Sequence, residues 1–248
     1  MKISATLITL NEEENLPRAL ASLSFCDEIL IVDSGSSDRT VEIARDLGAT
    51  VVVHDWDGYE TQKNFAASEA VNHWILALDA DEELSPLLRA EIERLAAEEP
   101  RFDAYDFPRR ACYLGRWIRG GGWYPDRKIR LYDRRRARWV GEYVHERVIC
   151  NGAVGSLRGD LLHYTCNSIE DHARRIDRYT TLAARELVDR GRSAGLLRLA
   201  LAPGWTFLRS YLLQGGFRDG FEGFVIARMA AYYVFLKYAK ARRLLADQ

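Results

Sequence analysis

The sequence predicts an α/β protein with a mixed, mainly parallel sheet, helices on both faces and a helical extension at the C-terminus. Three observations lead to this prediction. Over residues 1–100, short β-rich runs alternate with helical patterns. Residues 101–163 are rich in glycine, aromatic residues and arginine and contain short strand candidates, and residues 168–248 show long helical patterns. Strands separated by helices form parallel sheets, because each helix returns the chain to the start of the next strand. A chain of 248 residues can hold one such domain and an appendage.

Four strands and four helices are predicted in the first hundred residues. The strand candidates are ISATLITL (3–10), EILIVD (28–33), ATVVVH (49–54) and HWILALD (73–79). The helix candidates are residues 13–23, 38–48, 59–71 and a segment that begins at Ser85–Pro86. Further strands are expected at 103–109 and 128–134. The C-terminal helices are expected to break at Gly191, Pro203–Gly204 and Gly215–Gly216, because glycine and proline interrupt helices.

The charges are distributed unevenly along the chain, although the net charge is only -1. Residues 1–100 hold 7 Lys and Arg against 21 Asp and Glu, whereas residues 172–248 hold 14 against 6. An acidic first part predicts a cation site, and a basic last part predicts an anionic partner. The four cysteines are scattered without zinc spacing and are expected to be thiols of a reduced cytosolic protein. No apolar run approaches the roughly 18 residues of a membrane-spanning helix.

Acidic residues follow two of the predicted strands. Asp33 ends the second strand, and Asp79 and Asp81 follow the fourth in WILALDADEE (74–83). Ligands of open parallel sheets bind at the carboxyl ends of the strands, so these side chains are expected in one crevice. Asp79 and Asp81 point the same way on an extended segment and can share one divalent cation. The alternative is a solvated turn, and Glu82 and Glu83 are expected to have no function.

The segment IVDSGSSDRT, residues 31–40, is the second candidate site. An acid at a strand end followed by a Gly/Ser turn and a helix start is typical of nucleotide binding in α/β proteins. The segment lacks the glycine patterns of a dinucleotide-binding site and of a P-loop. The alternative is a structural loop in which Ser37 or Asp38 caps the next helix.

Four segments together resemble the donor half of inverting family 2 glycosyltransferases, which have the GT-A fold. They are ATLITLNEEENLPRALASL, IVDSGSSDRT, QKNFAAS and WILALDADEEL. The later segments GGWYPDRKIRLYDRR, WVGEYVHERV and LLHYT resemble the bacterial lipopolysaccharide core β-glucosyltransferase subgroup. The resemblance implies a GT-A catalytic domain over residues 1–167, with a nucleotide-sugar half (1–100) and an acceptor half (101–167). Residues 168–248 are expected to form a helical membrane-associating region.

The resemblance also implies which residues bind the donor. The backbone near Leu7 to Leu10 and Asp33 would hold the uracil and ribose of a UDP-sugar, and Lys63 would lie near the diphosphate. The implied nucleotide-sugar site comprises Leu7, Thr9, Leu10, Asn11, Glu13, Asp33, Ser34, Gly35, Ser36, Lys63, Asp79 and Ala80. Asp79 and Asp81 would place a divalent metal, Mg²⁺ or Mn²⁺. His163 would be a third metal ligand or a diphosphate contact, the alternative being a core or turn histidine.

An inverting transfer in one displacement needs a base on the acceptor hydroxyl. Many family members take it from an adjacent Glu-Asp pair, and this chain has Glu170–Asp171. The segment SIED also fits a helix start with Ser168 as N-cap, so Asp171 is the second candidate. Glu146 in EYVHERV is the preferred candidate, and Glu142 is the third.

The basic segment DRRRARW (133–139) is expected to be a solvated hairpin, or else a contact for an acceptor with phosphates or carboxylates. The C-terminal part mixes aromatic residues with arginines, which predicts binding to an anionic membrane surface. No segment has the pattern of a nucleic-acid-binding module.

The predicted function is metal-dependent transfer of a hexose, glucose from UDP-glucose, onto a lipid-linked bacterial saccharide such as the heptose of the lipopolysaccharide inner core. The enzyme is expected in the cytoplasm, peripherally on the inner face of the cytoplasmic membrane. The alternatives are a sugar nucleotidyltransferase and a noncatalytic membrane-binding adaptor. A nucleotidyltransferase would need a basic glycine-rich loop near the N-terminus, where this chain has LITLNEEENLP. An intact nucleotide loop and metal site disfavour the adaptor.

Overall fold

The computed structural model describes residues 1–141, 146–191 and 195–246. Its strands are β1 (Ile3–Thr9), β2 (Glu28–Asp33), β3 (Thr50–Val53), β4 (Trp74–Asp79), β5 (Glu82–Leu84), β6 (Ala104–Tyr113), β7 (Arg116–Trp117), β8 (Asp126–Asp133), β9 (Ala137–Val140), β10 (Arg147–Cys150), β11 (Val154–Ser156) and β12 (Leu161–Cys166). Its helices are α1 (Leu16–Leu23), α2 (Thr40–Asp46), α3 (Tyr59–Glu69), α4 (Pro86–Ala97), α5 (Ile169–Asp189), α6 (Leu196–Leu208) and α7 (Gly220–Ala246). The four strands and four helices predicted in the first hundred residues are therefore confirmed.

The main sheet has the strand order β3-β2-β1-β4-β8-β6-β12-β5. The first four strands are parallel, whereas β8 pairs with β4 and β5 pairs with β12 in antiparallel fashion. The predicted fold class, a mixed and mainly parallel sheet, is confirmed. Strands β9 and β10 form a separate antiparallel pair.

Helices cover the parallel strands, and the sequence shows why. Strand β1 is buried at almost every position, as expected when both faces of a sheet are covered. Helix α1 buries Leu16, Ala19, Leu20 and Leu23, which recur at helical spacing and place one apolar stripe on the core. Helix α4 begins where expected, because the Ser85 hydroxyl accepts a hydrogen bond from the amide of Leu88 at 3.3 Å.

The chain divides into two compact units. The first comprises Met1–Arg109 and Arg127–His163, and the second comprises Arg110–Asp126 and Tyr164–Gln248. The second unit is therefore built from two separate stretches of chain. The division of function between residues 1–167 and 168–248 remains a prediction.

In the second unit, the loop after β7 is joined to the turn before α7. The Asp219 carboxylate, only 3% exposed, accepts hydrogen bonds from the amides of Arg119 at 3.1 Å and Gly120 at 2.6 Å. Tyr113, Ile118, Cys166 and Ile226 form a small core beside this junction. Residues 110–126 thus depend on the C-terminal stretch for their packing.

The expected helix breaks are only partly observed. Gly191 follows the end of α5 with φ +63°, and Gly215–Gly216 separates a π-helical turn (Arg209–Leu213) from α7. The break expected at Pro203–Gly204 is wrong, because α6 runs through both residues. A helix tolerates an internal proline when the one missing amide hydrogen bond is outweighed by the rest of the helix.

Helix α6 and the segments after it expose many large apolar side chains. None of the residues of α6 is buried. The exposed apolar residues of the second unit are Ile169, Leu196, Leu197, Leu201, Trp205, Leu208, Leu212, Leu213, Phe217, Phe221, Phe224, Tyr232, Phe235 and Leu245. None of the described helices is long and apolar enough to cross a bilayer.

Candidate active site

The acidic strand ends predicted to meet lie at one edge of the sheet, on the two strands that flank β1. Strand β1 lies between β2 and β4, with Thr9 opposite Asp33 and Ile8 opposite Asp79. The loops that follow these strands therefore leave the sheet at one edge. This is the edge at which parallel α/β sheets bind ligands.

The loop after β2 is shaped by the Asp33 carboxylate, which is 1% exposed. It accepts hydrogen bonds from Thr9 Oγ1 at 2.9 Å, from the amides of Gly35 and Ser36 at 2.9 and 2.8 Å, and from Ser36 Oγ at 2.5 Å. Gly35 has φ +88°, a conformation that glycine adopts without strain. Both oxygens of Asp33 are therefore used to fold the loop.

The loop after β1 is clasped to the loop after β2. Asn11, at φ +56°, donates its amide to Ser36 Oγ at 2.9 Å and accepts the Ser37 amide on its side-chain oxygen at 2.8 Å. The Glu13 amide donates to Asp38 at 3.2 Å. Asp38 also accepts the Thr40 amide at 2.9 Å, next to the first residue of α2. The expected N-cap at Ser37 or Asp38 is not observed, because the N-cap residue is Arg39, which forms no side-chain cap hydrogen bond.

The remaining predicted nucleotide residues occupy different positions. Ser34 accepts a hydrogen bond from the buried Gln62 side chain at 3.0 Å, and Leu10 is 52% exposed on the loop. Leu7 lies in the core, 1% exposed, with its strand paired on both sides to Ile31 and Leu78. The Leu7 side chain therefore packs in the core, and its backbone is paired with the neighbouring strands on both sides. Ala80 is also buried and is 4% exposed.

Asp79 lies between two nearly buried cations. Lys63 Nζ lies 2.8 Å from one carboxylate oxygen and Arg130 Nη2 lies 2.8 Å from the other. Desolvation by the surrounding protein would raise the pKa of Asp79, but the charges of Arg130 and Lys63 outweigh it and hold the pKa well below its usual range. Asp79 is therefore a carboxylate at every physiological pH, and both its oxygens are paired.

Glu82, which the sequence analysis expected to have no function, belongs to this cluster. It is completely buried and accepts the Asp79 amide at 3.0 Å and Arg130 Nη2 at 3.1 Å. Arg109 Nη1 approaches the same carboxylate at 3.4 Å. Burial would lower the pKa of Arg130, but Asp79 and Glu82 raise it above its ordinary value. No function was expected for Glu82, and the sequence did not indicate this cluster, because the charged partners of a buried carboxylate lie far away in sequence.

Trp139 is a second residue that sequence reasoning missed. Its ring centroid lies 4.4 Å from Lys63 Nζ and 5.1 Å from the Arg130 guanidinium carbon, within cation–π distance of both. Asn64 fixes its backbone through two hydrogen bonds of 3.0 Å, and its indole donates to Tyr132 at 3.0 Å. A single tryptophan thus positions both cations of the cluster.

Asp81 and His163 form a separate pair. His163 Nε2 lies 3.2 Å from an Asp81 carboxylate oxygen, and both side chains are partly exposed. Among the described residues, no group of three or more His, Cys, Asp or Glu is arranged to hold a metal ion. Of the three predicted metal ligands, Asp81 and His163 therefore lie together, whereas Asp79 is paired with Lys63 and Arg130.

The two base candidates that the structure describes, Glu146 and Asp171, lie in different places. Glu146 Oε1 is 3.2 Å from Lys63 Nζ, so Glu146 joins the cluster through the same ammonium that binds Asp79. Asp171 is in the second unit, where Arg175 Nε lies 3.0 Å from its carboxylate. Its amide donates to the Ser168 hydroxyl at 3.0 Å, which confirms the predicted N-cap. Glu142 lies outside the described residues.

The basic hairpin between β8 and β9 is a structural element. Arg134 donates to the carbonyls of Ala67 and Ala70 at the end of α3, at 2.5 and 2.7 Å. Arg135 pairs with Asp133 at 2.6 Å. Such bonds satisfy carbonyls that a helix end leaves open. These two guanidinium groups are thus committed to the fold.

The mainly parallel sheet, with two clasped loops and a charged cluster at its carboxyl edge, is consistent with the GT-A class of glycosyltransferase fold that the sequence predicts. The model of the family "Glycosyl transferase family 2" matches residues 4–154. The chain belongs to glycosyl transferase family 2 and is a glycosyltransferase.

Two curated relatives cover nearly the whole chain. A lipopolysaccharide core biosynthesis glycosyltransferase, LpsC, of Rhizobium meliloti is 34% identical over 97% of this chain and 92% of its own length. An uncharacterized glycosyltransferase of Rickettsia typhi is 38% identical over 98% of this chain and 87% of its own length. Among solved structures, S. aureus TarS 1-349 in complex with UDP-GlcNAc has a TM-score of 0.51 at 15% identity, covering 100% of this chain and 93% of that one. The last likeness is one of fold.

Proposed function

We propose that this enzyme transfers a hexose, glucose from UDP-glucose, with inversion onto a lipid-linked bacterial saccharide such as the heptose of the lipopolysaccharide inner core. The observation that carries the proposal is the charged cluster at the carboxyl edge, in which one ammonium, that of Lys63, contacts both Asp79 and Glu146. The name of the Rhizobium meliloti relative supports an acceptor of the lipopolysaccharide core.

The two clasped loops are proposed to hold the uridine. They present exposed backbone and polar groups near Leu10, Asn11 and Ser36, while Asp33 fixes their shape from below. The complex of TarS with UDP-GlcNAc, a protein of the same fold, supports a UDP-sugar as donor.

Lys63 and Arg130 are proposed to neutralise the diphosphate. Both are nearly buried cations, and Trp139 holds them in place. Negative charge grows on the diphosphate as the bond to the sugar breaks, and fixed cations in a site of low dielectric stabilise that charge strongly.

The residues present fit a divalent metal ion, Mg²⁺ or Mn²⁺. A carboxylate oxygen of Asp81 and the imidazole nitrogen of His163 lie 3.2 Å apart, and this oxygen and nitrogen pair suits such a cation when a diphosphate supplies further oxygens. Asp81 and His163 would hold the ion, with Asp79 orienting Lys63 and Arg130 beside it. When bound, the metal supplies additional charge neutralisation to the leaving diphosphate.

Glu146 is proposed as the base that accepts the proton of the acceptor hydroxyl. Its carboxylate is partly exposed and contacts Lys63, which places it in the donor cluster instead of the core. Asp171 is the competing candidate, but its amide and carboxylate are both engaged at the start of α5.

The exposed apolar surface of the second unit is proposed to lie on the cytoplasmic leaflet of the inner membrane. Aromatic and leucine side chains favour the interfacial region, and each Lys or Arg near an anionic surface contributes about 1 kcal/mol. A lipid-linked acceptor would be found at the same surface.

The donor is tested by calorimetry and by transfer or hydrolysis assays with UDP-, GDP- and dTDP-sugars, each with and without Mn²⁺. We expect UDP-glucose to bind more tightly than the other sugar nucleotides, and Mn²⁺ to strengthen the binding. A preference for a GDP- or dTDP-sugar, or full activity in excess EDTA, would contradict the donor or the metal. Formation of a sugar nucleotide from a sugar phosphate would instead indicate a nucleotidyltransferase.

The membrane proposal is tested with point substitutions, because removal of the C-terminal stretch would also remove the packing partners of residues 110–126. Leu197→Gln and Leu201→Gln change two side chains of α6 that are 73% and 62% exposed. We expect the double variant to float less with anionic vesicles than the wild type while keeping its melting temperature. A wild-type protein that stays unbound with anionic vesicles at low salt would refute the proposal.

A further inference from the structure

The second unit contains a cavity of about 460 Å³ whose lining is rich in arginine. The lining residues are Arg110, Arg116, Trp117, Arg119, Gly120, Gln214, Gly215, Arg218 and Asp219. All belong to the second unit, and none belongs to the candidate active site. Four guanidinium groups against one carboxylate make this lining strongly positive.

The one carboxylate in the lining is used to fold the backbone. Asp219 accepts the amides of Arg119 and Gly120, so it fixes the loop on which Arg119 lies. Within the described ranges, neither the Arg119 nor the Arg218 guanidinium forms an ion pair with an acidic side chain. Arg116 lies 3.8 Å from a Glu222 carboxylate oxygen and donates to the Arg218 carbonyl at 3.4 Å. An anionic ligand would supply the missing acceptors.

Part of the wall of the cavity is closely packed backbone. A Cβ on Gly120 would lie 2.4 Å from the Gly215 carbonyl oxygen, and one on Gly223 would lie 1.9 Å from the Gly216 carbonyl oxygen. Only glycine permits these approaches. Close backbone packing therefore fixes the part of the wall that Gly120 and Gly215 form.

Large apolar side chains adjoin the arginines along the chain. Leu213 precedes Gln214 of the lining and is 70% exposed, and Phe217 precedes Arg218 and is 50% exposed. Phe221, two residues after Asp219, is 63% exposed. A positive cavity whose lining residues are followed or preceded in sequence by exposed apolar residues matches a molecule that combines an anionic group with a hydrocarbon part.

We propose that this cavity binds the phosphate group of an anionic lipid, with the phosphate against the arginines and the hydrocarbon part over Leu213, Phe217 and Phe221. Guanidinium groups bind phosphate through paired, charge-assisted hydrogen bonds, which favours arginine for such a site. The inference deepens the proposed membrane association and rests on it for the source of the lipid. It adds specific recognition of one lipid phosphate in one cavity to the nonspecific attraction between basic residues and an anionic membrane.

The test uses the full-length protein and soluble probes. Calorimetry would compare dihexanoyl phosphatidic acid below its micelle concentration, dihexanoyl phosphatidylcholine and inorganic phosphate. We expect the phosphatidic acid to bind at least tenfold more tightly than either other probe. The double variant Arg119→Gln, Arg218→Gln should weaken this binding at least tenfold. The matched control, Arg178→Gln with Arg242→Gln, removes two exposed charges of the same unit outside the cavity and should change it less than twofold.

Three results would overturn the assignment: equal binding of inorganic phosphate and phosphatidic acid, an unchanged affinity in the cavity variant, or an equal loss in the control variant. Flotation with anionic vesicles separates this proposal from membrane association. A wild-type protein that floats but does not bind the soluble phosphatidic acid refutes the cavity alone. A wild-type protein that binds the probe but does not float refutes membrane association and supports the cavity.

Discussion

Replacement of Asp79 by asparagine is expected to lower both stability and activity, because Asp79 is part of the buried ion-pair cluster. Its two oxygens lie 2.8 Å from Lys63 and Arg130, whose side chains are 6% and 5% exposed. An amide keeps the shape but loses the charge and one acceptor, which leaves two nearly buried cations with less compensation.

The magnitude follows from the geometry. Removing one partner of a buried ion pair costs about 3–5 kcal/mol, and the partial exposure of Asp79 and the remaining carboxylates of Glu82 and Glu146 reduce this. We expect a loss of about 3 kcal/mol for Asp79→Asn. For a chain of this size that corresponds to a melting temperature lower by about 6–12 °C.

Asp81→Asn is the matched control. Among the described residues Asp81 forms one ion pair, with His163, and both side chains are partly exposed, so its loss should cost less than about 1 kcal/mol. Both variants should lose sugar transfer, but only Asp79→Asn should lose stability, as measured by thermal and urea denaturation. The interpretation of the cluster is refuted if Asp79→Asn melts with the wild type, or if Asp81→Asn is destabilised to the same extent.

Three further predictions concern Glu146, Asp79 and Cys26. Glu146→Gln should bind UDP-sugar almost normally but lose about 10²-fold or more in kcat, since the amide can still accept from Lys63 but cannot take up a proton; the same pattern in Asp171→Asn instead would show that Asp171 is the base. Because the folded-state pKa of Asp79 is lowered, its contribution to stability is complete above about pH 4 and is lost as the pH falls through the folded-state pKa. The stability of Asp79→Asn should therefore fall less steeply with decreasing pH than that of the wild type, and equal steepness would contradict the lowered pKa. Burial and the neighbouring Asp27 raise the pKa of the Cys26 thiol to about 12, so iodoacetamide at pH 8 should alkylate Cys26 more than tenfold faster in urea than in the folded protein by peptide mapping, and equal rates would count against it.

The first part of the fold is predictable because its signals are local. The runs that form β1, β2 and β4 are apolar and short, and each ends at a polar residue that the topology brings to one edge. The placement of Asp33 and Asp79 follows from the strand ends alone.

The composition of the charged cluster could not be predicted, because its contacts span long stretches of chain. Arg130 lies 51 residues from Asp79, and Glu146 lies 83 residues from Lys63. A tryptophan such as Trp139 gives no local sign that it will lie against two cations. The place of Glu82 in the cluster could not be predicted for the same reason, since the acids beside it in sequence gave no indication of its burial.

The discontinuous second unit has a consequence for how the protein is made. Arg119 and Gly120 are 100 and 99 residues away in sequence from Asp219, the residue that fixes them. At 5–20 residues per second, a ribosome needs roughly 5–20 s to synthesise the intervening chain. During that interval Tyr113 and Ile118, which end up fully buried, have no partner in Ile226 because it does not yet exist. Expression at low temperature with holding chaperones should therefore raise the yield of folded enzyme.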